Sequence, residues 1–377
     1  MLKFPPIIRS AYLLLTEACP FDCEYCYVKD RRTNNEMPFE YLEILKKAFT
    51  CTMKPTIIFF GGEPLLKIGL MKRIVEKYKD DFVFQVVTNG SVNLHQFVEE
   101  IYKPYKDIFD VQLSWDGNED TRKMVSGKPS NSIVYENLIK ELKNGGAFEG
   151  RCVLDNTSVH SFYKTYKTFQ ELREKYRFNG DFTIVHQTSF DESYATVLGQ
   201  QLEMIYNDVA QQLTTNHFFL PRLLLKNIVN MLQGIKALSC DVGSYIVVRP
   251  NGDIYPCTIL AQVDERFKMG NLCENFDSEI VYNLRIGSSC KKDCNFKSLC
   301  DGGCRYERIK TFPNDWECTI CEHSCKIYEE MYNRTQAFLD CLNEQQLEML
   351  YQYLTEYNLW EIDYSNGWSN RNKRLLK

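Results

Sequence analysis

The chain lacks several features that would assign it to a broad class at once. No apolar run among its 377 residues approaches the roughly 18 to 20 residues that span a bilayer. The N-terminal apolar stretch is broken by two prolines and Arg9, and no small-residue cleavage site follows it. Basic residues number 45 against 50 acidic ones, which does not indicate a nucleic-acid-binding surface. We therefore expect a cytoplasmic protein that binds neither membranes nor nucleic acids.

Cysteine is what the chain has in unusual number, with 16 residues. In a compartment that keeps thiols reduced, so many cysteines favour metal, cluster or redox chemistry over disulfides. Three lie close together near the N-terminus, and nine more are grouped between Cys240 and Cys325. Four stand singly, namely Cys51, Cys152, Cys273 and Cys341. A lone cysteine usually acts as a small buried hydrophobe. The two groups therefore carry the functional interpretation.

Short β-rich runs alternate with helical stretches through the first half of the chain. Six runs are apolar or β-branched enough to be buried strands, namely 11–16, 56–60, 83–88, 111–115, 151–155 and 182–186. Apolar residues recur at helical spacing in 39–51, 65–79, 132–143 and 162–176. This alternation predicts an α/β fold, a partial (β/α)6 barrel of the TIM type. In such barrels the functional groups lie at the C-terminal ends of the strands.

The second half of the chain follows a different pattern. Residues 193–237 have helical spacing, cysteine-rich loops begin at about 238, and helical spacing returns after Cys325. A small irregular core of this kind needs cross-links or metal. We predict a barrel domain at 1–192, a helical bridge at 193–237, a small cysteine-rich domain at 238–325 and a C-terminal helical tail at 326–377.

The N-terminal cysteines form the run Cys19-Pro-Phe-Asp-Cys23-Glu-Tyr-Cys26, directly after the first predicted strand. On a tight loop this spacing brings three thiolates toward one point and supplies no fourth protein ligand. Structural zinc needs four closed ligands, whereas a [4Fe–4S] cluster on three cysteines keeps one iron available for a cofactor or substrate. The loop resembles the CxxxCxΦC motif of radical S-adenosylmethionine (SAM) enzymes, with Tyr25 as the aromatic residue Φ.

Loops after the later strands extend this resemblance. The sequence Gly61-Gly62-Glu63-Pro64 follows the second predicted strand and is similar to the family's GGEP motif, which binds the methionine end of SAM. By itself this sequence also describes a strand-to-helix turn. The resemblance implies that Ser114 approaches the ribose or methionine moiety and that Arg122 pairs with the carboxylate. The cofactor-binding residues that it implies are Tyr25, Gly61, Gly62, Glu63, Pro64, Thr88, Asn89, Ser114, Asp116 and Arg122.

The C-terminal cysteines resemble the SPASM extension of radical SAM enzymes, which houses two auxiliary [4Fe–4S] clusters. The resemblance rests on a C-x11-G-x4-C run and a following C-x3-C-x5-C-x3-C quartet, which departs from the usual CxxC start. A zinc ribbon is the competing interpretation. The resemblance implies a first auxiliary cluster on Cys240, Cys257 and Cys304, with Cys321 or Cys325 left to complete it, and a second on Cys290, Cys294, Cys300 and Cys318.

The resemblance also implies a reaction. With SAM and three [4Fe–4S] clusters, the enzyme would generate a 5′-deoxyadenosyl radical and oxidatively modify a peptide or protein. Sulfatase-maturing relatives have an aspartate after the second SPASM cysteine, whereas Cys257 is followed here by Thr258, whose hydroxyl is a poor base. We therefore expect cross-linking of a ribosomally synthesised peptide. The expected partners are an external electron donor such as flavodoxin or ferredoxin, and either a separate leader-peptide-binding protein or direct docking of the peptide at the barrel mouth and C-terminal tail.

Other functions stay open from the sequence. They are anaerobic sulfatase maturation, a radical dehydrogenase or epimerase, and a non-catalytic iron–sulfur electron carrier or zinc-binding interaction protein. The three-cysteine loop and the Gly61–Pro64 loop argue against a pure carrier, because a carrier needs neither. The sequence does not distinguish a thioether, an ether, a carbon–carbon bond or an epimer as the product.

Overall fold

The structure, a computed structural model, describes residues 2–28, 33–118, 121–185, 190–215, 218–235, 241–263, 265–280, 293–300, 302–307 and 322–356. Its strands are β1 (Ser10–Thr16), β2 (Thr56–Gly61), β3 (Val83–Thr88), β4 (Phe109–Ser114), β5 (Phe148–Leu154), β6 (Phe178–Ile184), β7 (Tyr245–Val248), β8 (Asp253–Tyr255) and β9 (Gly270–Asn271). Its helices are α1 (Tyr41–Ala48), α2 (Ile68–Tyr78), α3 (Leu94–Phe97), α4 (Lys103–Tyr105), α5 (Ser130–Lys143), α6 (Phe162–Lys175), α7 (Tyr194–Gln212), α8 (Arg222–Gln233), α9 (Leu260–Val263), α10 (Glu322–Cys341) and α11 (Glu344–Glu356).

All these strands belong to one sheet, in the order β6-β5-β4-β3-β2-β1-β7-β8-β9. The first six pair in chain order and in parallel, with helices between them along the chain. This arrangement confirms the predicted α/β class and the partial (β/α)6 barrel. It places the loops after β1, β2, β3 and β4 side by side at one edge of the sheet, since the carboxyl ends of parallel strands share that edge.

The sheet continues beyond the predicted barrel. Strand β7 pairs in parallel with β1, and β8 and β9 add antiparallel neighbours. The sequence did not predict these strands, because runs of two to four residues are too short to show a strand period. Strand β7 lies inside the predicted cysteine-rich domain at 238–325, but it pairs with β1 of the predicted barrel domain at 1–192. One sheet therefore contains strands from both predicted domains. The domain limits themselves stay a prediction.

The helix-facing side of the sheet forms the main apolar core. Alternate residues of β1, Ala11, Leu13 and Leu15, are fully buried there, as the period of two in a strand requires. Phe59 and Phe84 of neighbouring strands stack with ring centroids 5.7 Å apart. Burial of such rings against amphipathic helices is the main contribution to stability in a sheet of this kind.

One helical segment was not predicted from the sequence. Between β3 and β4 the chain forms α3, a π-helical turn at Val98–Tyr102, and α4. Leu94, Phe97 and Ile101 are buried and have helical spacing, but Pro104 and the wide turn interrupt the pattern.

Helix α10, which begins at Glu322 and contains Cys325, packs on the helical bridge. Tyr206 of α7 stacks on Phe338 of α10 with centroids 4.6 Å apart, and its hydroxyl shares a 2.8 Å hydrogen bond with Thr335. In the described part of the chain, no helix combines the length and apolar character needed to cross a bilayer.

Candidate cofactor and active site

The cysteine loop, defined here as residues 19–26, leaves the C-terminal end of β1 and is held by the segment that follows β4. The amide of Asp22 donates to the Lys123 carbonyl at 2.6 Å, and the amide of Val125 donates to the Pro20 carbonyl at 2.9 Å. The loop backbone therefore donates one hydrogen bond to this segment and accepts another from it. These bonds hold the turn that carries the cysteine sulfur atoms in one position.

The thiols of this loop lie in a poorly solvated place. Cys23 is buried, and Cys19 and Cys26 are partly buried. The Cys19 sulfur accepts from the Phe21 amide at 3.4 Å and from the Asn89 side-chain amide at 3.7 Å. Burial raises the pKa of Cys19 to about 12. A thiolate at this position therefore needs a cation beside it, which fits an iron cluster on the three cysteines.

Glu63 of the GGEP-like loop is fully buried and bonded to two neighbouring segments. Its Oε1 accepts from the Leu65 amide at 3.0 Å and from the Thr88 hydroxyl at 2.7 Å, and its Oε2 accepts from the Asn89 amide at 2.8 Å. Burial raises the pKa of Glu63 to about 6. The carboxylate therefore ties this loop to the end of β3, and its predicted contact with the cofactor stays a prediction.

The two glycines of this loop allow it to lie against the cysteine loop. A Cβ atom on Gly62 would lie 2.2 Å from the Ala18 carbonyl oxygen and 2.4 Å from that of Glu17. Gly61 has a φ of 132°, which disfavours any side chain. The glycines thus serve the contact between two protein loops at the site where the sequence placed the methionine end of the cofactor.

A buried cation and a buried anion lie after β4. Asp116 accepts from the Tyr25 hydroxyl at one oxygen and from the Val153 amide at 2.9 Å at the other. Arg122 is 7% exposed, and its guanidinium lies 5.3 Å from the Phe21 ring centroid. Its Nε has no hydrogen-bond partner in the described chain. An orphaned buried N–H of a cation fits an anionic ligand, such as the carboxylate of SAM.

A charged layer crosses the barrel interior beside Ser114. In strand register Ser114 is level with Arg151 of β5, which is level with Asp181 of β6. The Arg151 guanidinium binds Asp181 at 2.7 Å and Glu149 at 2.9 Å. The sequence did not single out these three charged residues, because each interrupts an otherwise apolar strand.

A second ion pair joins Glu17, just before the cysteine loop, to the residue that follows β7. Arg249 follows β7 and donates from Nε at 3.1 Å and from Nη2 at 2.8 Å to one oxygen of Glu17, which lies between β1 and Cys19. The other Glu17 oxygen accepts from the Thr33 hydroxyl at 2.8 Å. The signal that could have indicated this pair is a charged residue directly after a buried strand and two positions before a predicted cluster ligand, Cys19.

The cysteine loop also meets the segment that carries Cys257. Tyr27 follows Cys26 directly, its ring stacks on Phe60 of β2 at 6.4 Å, and its hydroxyl shares a hydrogen bond with Thr258. Burial raises the pKa of Tyr27 above its ordinary value. Thr258, on which the expectation of peptide cross-linking rests, therefore lies at the barrel mouth next to the predicted radical site.

The structure covers part of the C-terminal cysteine group. Cys257, Cys304 and Cys325 are buried, and Cys294 and Cys300 are partly buried. Tyr306, two residues after Cys304, packs on the apolar cluster that contains Cys257. The assignment of ligands to auxiliary clusters stays a prediction. Four of the predicted ligands lie outside the described residues, namely Cys240, Cys290, Cys318 and Cys321.

Residues 13–167 match the model of the radical SAM superfamily. Among curated proteins, the chain is 25% identical over 372 residues to the cysteine-type anaerobic sulfatase-maturating enzyme of Clostridium novyi (strain NT), covering 86% of this chain and 96% of the relative. The corresponding enzyme of Clostridium perfringens (strain 13) is 23% identical, with 84% and 93% covered.

Solved structures share the fold. The structure described as "Native anSMEcpe with bound AdoMet" superposes with a TM-score of 0.70 at 20% identity, covering 88% of this chain and 98% of that one. Streptococcus suis SuiB bound to precursor peptide SuiA superposes with a TM-score of 0.59 at 17% identity, covering 85% and 76%. A radical SAM domain implies SAM and one [4Fe–4S] cluster as cofactors. The chain carries a radical SAM domain, at residues 13–167.

Proposed function

We propose that this protein oxidatively cross-links a ribosomally synthesised peptide. The proposal starts from the radical SAM domain and from the fold shared with structures that contain SAM or a precursor peptide. When bound, the cluster and SAM supply a 5′-deoxyadenosyl radical, the chemistry that a cofactor contributes. The remaining tasks belong to this chain, which must hold the cofactor, orient the peptide and keep water away.

The residues around the cysteine loop fit the first task. Cys19, Cys23 and Cys26 would hold the cluster, and Arg122 would neutralise the carboxylate of SAM. Glu63 contributes indirectly, because its hydrogen bonds fix the end of β3 beside the cysteine loop. Preorganisation of this kind lowers the entropy cost of placing the cofactor.

The observation that favours cross-linking is the Tyr27–Thr258 hydrogen bond. It places two hydroxyls, neither of them a base at neutral pH, beside the segment that carries Cys257. In either reaction the radical would take one hydrogen atom, and one electron and one proton would leave afterwards. Formylglycine formation takes that proton from the substrate cysteine and needs a base close to it, so it is disfavoured at this position. In a cross-link the proton leaves from the attacking group of the peptide instead.

Sulfatase maturation is the second candidate. Two relatives at 25% and 23% identity carry that name, and both are covered over more than nine-tenths of their length. The two candidates differ in product, because a cross-link is a new bond within the peptide, whereas formylglycine carries a free aldehyde. Both products are oxidised by two electrons: the radical would take one hydrogen atom, and an auxiliary cluster would accept the second electron as a proton leaves.

The test uses anaerobically reconstituted full-length protein with SAM, dithionite and two kinds of peptide. One kind carries the sulfatase cysteine motif, and the other is any short precursor encoded beside this gene. We expect the precursor to lose about 2 Da per modification and to resist hydrazide capture, with the sulfatase peptide unchanged. An aldehyde captured from the sulfatase peptide would establish the second candidate instead. Thr258→Asp should not create that activity, since a base must also meet the hydrogen geometry.

We further propose two auxiliary [4Fe–4S] clusters on the C-terminal cysteines. The burial of Cys257, Cys304 and Cys325 supports this proposal, since cluster ligands lie in poorly solvated places. Iron and sulfide analysis should give about three clusters per chain. A single cluster with stoichiometric zinc would support the zinc-ribbon interpretation. The proposal is completed by an external flavodoxin or ferredoxin as electron donor, and by either a separate leader-peptide-binding protein or docking of the peptide at the barrel mouth and C-terminal tail.

A further inference from the structure

The concave face of the sheet is more open than the face that packs on the helices. In β4 the residues that face the helices, Phe109, Val111 and Leu113, are buried, whereas the alternate residues are partly exposed. The concave side chains near the ends of the two preceding strands, Phe60 of β2 and Val87 of β3, are partly exposed as well. The interior of the barrel is therefore accessible to solvent, as a ligand-binding pocket must be.

Tyr12 of β1 points into this interior. Its neighbours Ala11 and Leu13 face the helices and are fully buried, whereas Tyr12 is partly exposed. Tyr12 interacts electrostatically with Arg151 of β5, although β2, β3 and β4 lie between the two strands in the sheet. At about 4.8 Å per strand, β1 and β5 are about 19 Å apart along the sheet. Their side chains therefore approach each other across the concave face.

Aromatic neighbours hold the ring of Tyr12. It meets Phe60 edge-on with centroids 5.6 Å apart, and the ring of Tyr245 lies at 5.0 Å. Phe60 in turn stacks on Tyr27, which follows the last cysteine of the cysteine loop. Tyr12 also interacts electrostatically with Cys257, a predicted ligand of the first auxiliary cluster. Tyr12 is therefore close both to the cysteine loop and to the segment that carries Cys257.

The hydroxyl of Tyr12 is free to bind a ligand. It makes no hydrogen bond within the residues that the structure describes, and it is not fully enclosed, unlike the orphaned Nε of Arg122. A molecule in the barrel interior can therefore reach it. A tyrosine hydroxyl is protonated at neutral pH, and a donor that loses water on ligand binding needs a new acceptor. The expected partner is therefore an acceptor oxygen of the ligand.

We propose that the Tyr12 hydroxyl donates a hydrogen bond to a backbone carbonyl of the peptide substrate inside the barrel. This inference rests on the proposed function and adds a substrate-positioning residue to it. A peptide offers one carbonyl oxygen per residue, so the contact does not depend on the side chains of the substrate. A peptide held there lies close to the cysteine loop, where the radical would form, and to Cys257, whose cluster would accept the second electron.

The variant Tyr12→Phe removes the hydroxyl and keeps the ring. The matched control is Tyr166→Phe in α6, whose hydroxyl donates to the Phe219 carbonyl at 3.0 Å within the protein. Loss of that formed bond should lower the unfolding temperature of the reconstituted protein, whereas Tyr12→Phe should leave it unchanged. A fall in Tyr12→Phe as large as that in Tyr166→Phe would show that the Tyr12 hydroxyl has a partner within the protein, and the inference would be wrong.

The second measurement uses a pooled library of N-acetylated twelve-residue peptides, in which modified members are identified by mass. For a modified member, Tyr12→Phe should raise KM about three- to tenfold, with kcat affected less, as expected when one ground-state hydrogen bond is lost. Tyr166→Phe should leave KM at the wild-type value. Replacing a peptide carbonyl by a thiocarbonyl, a weaker acceptor, should raise the wild-type KM at one backbone position and leave the KM of Tyr12→Phe unchanged there.

The outcomes separate the two proposals. If the wild type modifies no peptide, the proposed function fails and the inference falls with it. If the wild type modifies peptides and Tyr12→Phe has an unchanged KM, the inference alone is wrong. A raised KM in Tyr12→Phe that no thiocarbonyl position reproduces would assign the hydroxyl to a substrate side chain and overturn the backbone pairing. Weaker SAM binding by Tyr12→Phe in equilibrium dialysis, with KM unchanged, would assign Tyr12 to the cofactor and also overturn it.

Discussion

Replacement of Arg249 by methionine should destabilise the cysteine loop, because it leaves the Glu17 carboxylate buried without its cation. Glu17 is 2% exposed, and Arg249 donates two hydrogen bonds to one of its oxygens. Breaking one side of a buried ion pair costs about 3 to 5 kcal/mol. The Arg249 side chain is 13% exposed and also lies 3.6 Å from Glu265. We therefore expect a loss of about 3 kcal/mol, at the lower end of that range.

A double-mutant cycle measures this cost without assuming that each contact acts alone. Unfolding of the reconstituted protein is followed by loss of iron–sulfur absorbance in Arg249→Met, in Glu17→Met and in the double variant. The double variant should recover most of the loss, because replacing both members of a buried pair with apolar residues is close to neutral. Recovery in the double variant would also show that the loss in Arg249→Met comes from the isolated carboxylate rather than from a packing defect.

The matched control is Arg334→Met. Arg334 binds Glu330 and Glu203 at 2.8 Å each, but its side chain is 35% exposed, so the loss should stay below about 1 kcal/mol. The reasoning is refuted if Arg249→Met costs no more than this control, or if the double variant is as unstable as Arg249→Met.

Three further predictions concern the cofactor site. Gly62→Ala should abolish SAM binding measured by equilibrium dialysis, because its Cβ would lie 2.2 Å from a carbonyl oxygen. The control Gly69→Ala, whose Cβ would have no atom within 4 Å, should bind SAM normally. Equal binding by the two variants would contradict this prediction. Replacing all three cysteines of the cysteine loop with alanine should stop 5′-deoxyadenosine formation while iron analysis still finds the auxiliary clusters. The pKa of Glu63 is raised from 4.5 to about 6, so its contribution to the free energy of unfolding should fall by about 2 kcal/mol as pH rises from about 4.5 to about 6. The unfolding free energy of Glu63→Gln, measured in urea, should lack this fall between pH 4.5 and about 6. If the unfolding free energies of the wild type and Glu63→Gln change in parallel with pH, the prediction is wrong.

The barrel could be predicted from the sequence wherever strands are apolar throughout. Strand β3 has the predicted bounds, Val83–Thr88. Strands β5 and β6 begin three and four residues earlier than predicted, at Phe148 and Phe178. Their early parts contain Glu149 and Asp181, which lie inside the barrel and hide the strands from a search for apolar runs.

The candidate site was predictable to the extent that it is local in sequence. The cysteine loop and the Gly61–Pro64 loop are short motifs, and parallel strands alone bring them together. The Tyr27–Thr258 hydrogen bond depends instead on where the segment after β8 folds. No spacing along the chain encodes such a contact, so only the structure could show it.

The pairing of β1 with β7 has a consequence for synthesis of the chain. Glu17 and Arg249, just beyond these strands, are 232 positions apart. At about 5 to 20 residues per second, a ribosome needs about 10 to 50 s to complete β7 after β1 has emerged. During that time one side of β1 has unpaired backbone groups next to the cysteine loop, and open strand edges favour pairing with other chains. A nascent chain stalled before β7 is therefore a natural client for chaperones, and iron delivered at that stage would meet a cysteine loop whose neighbour Glu17 still lacks its Arg249 contact.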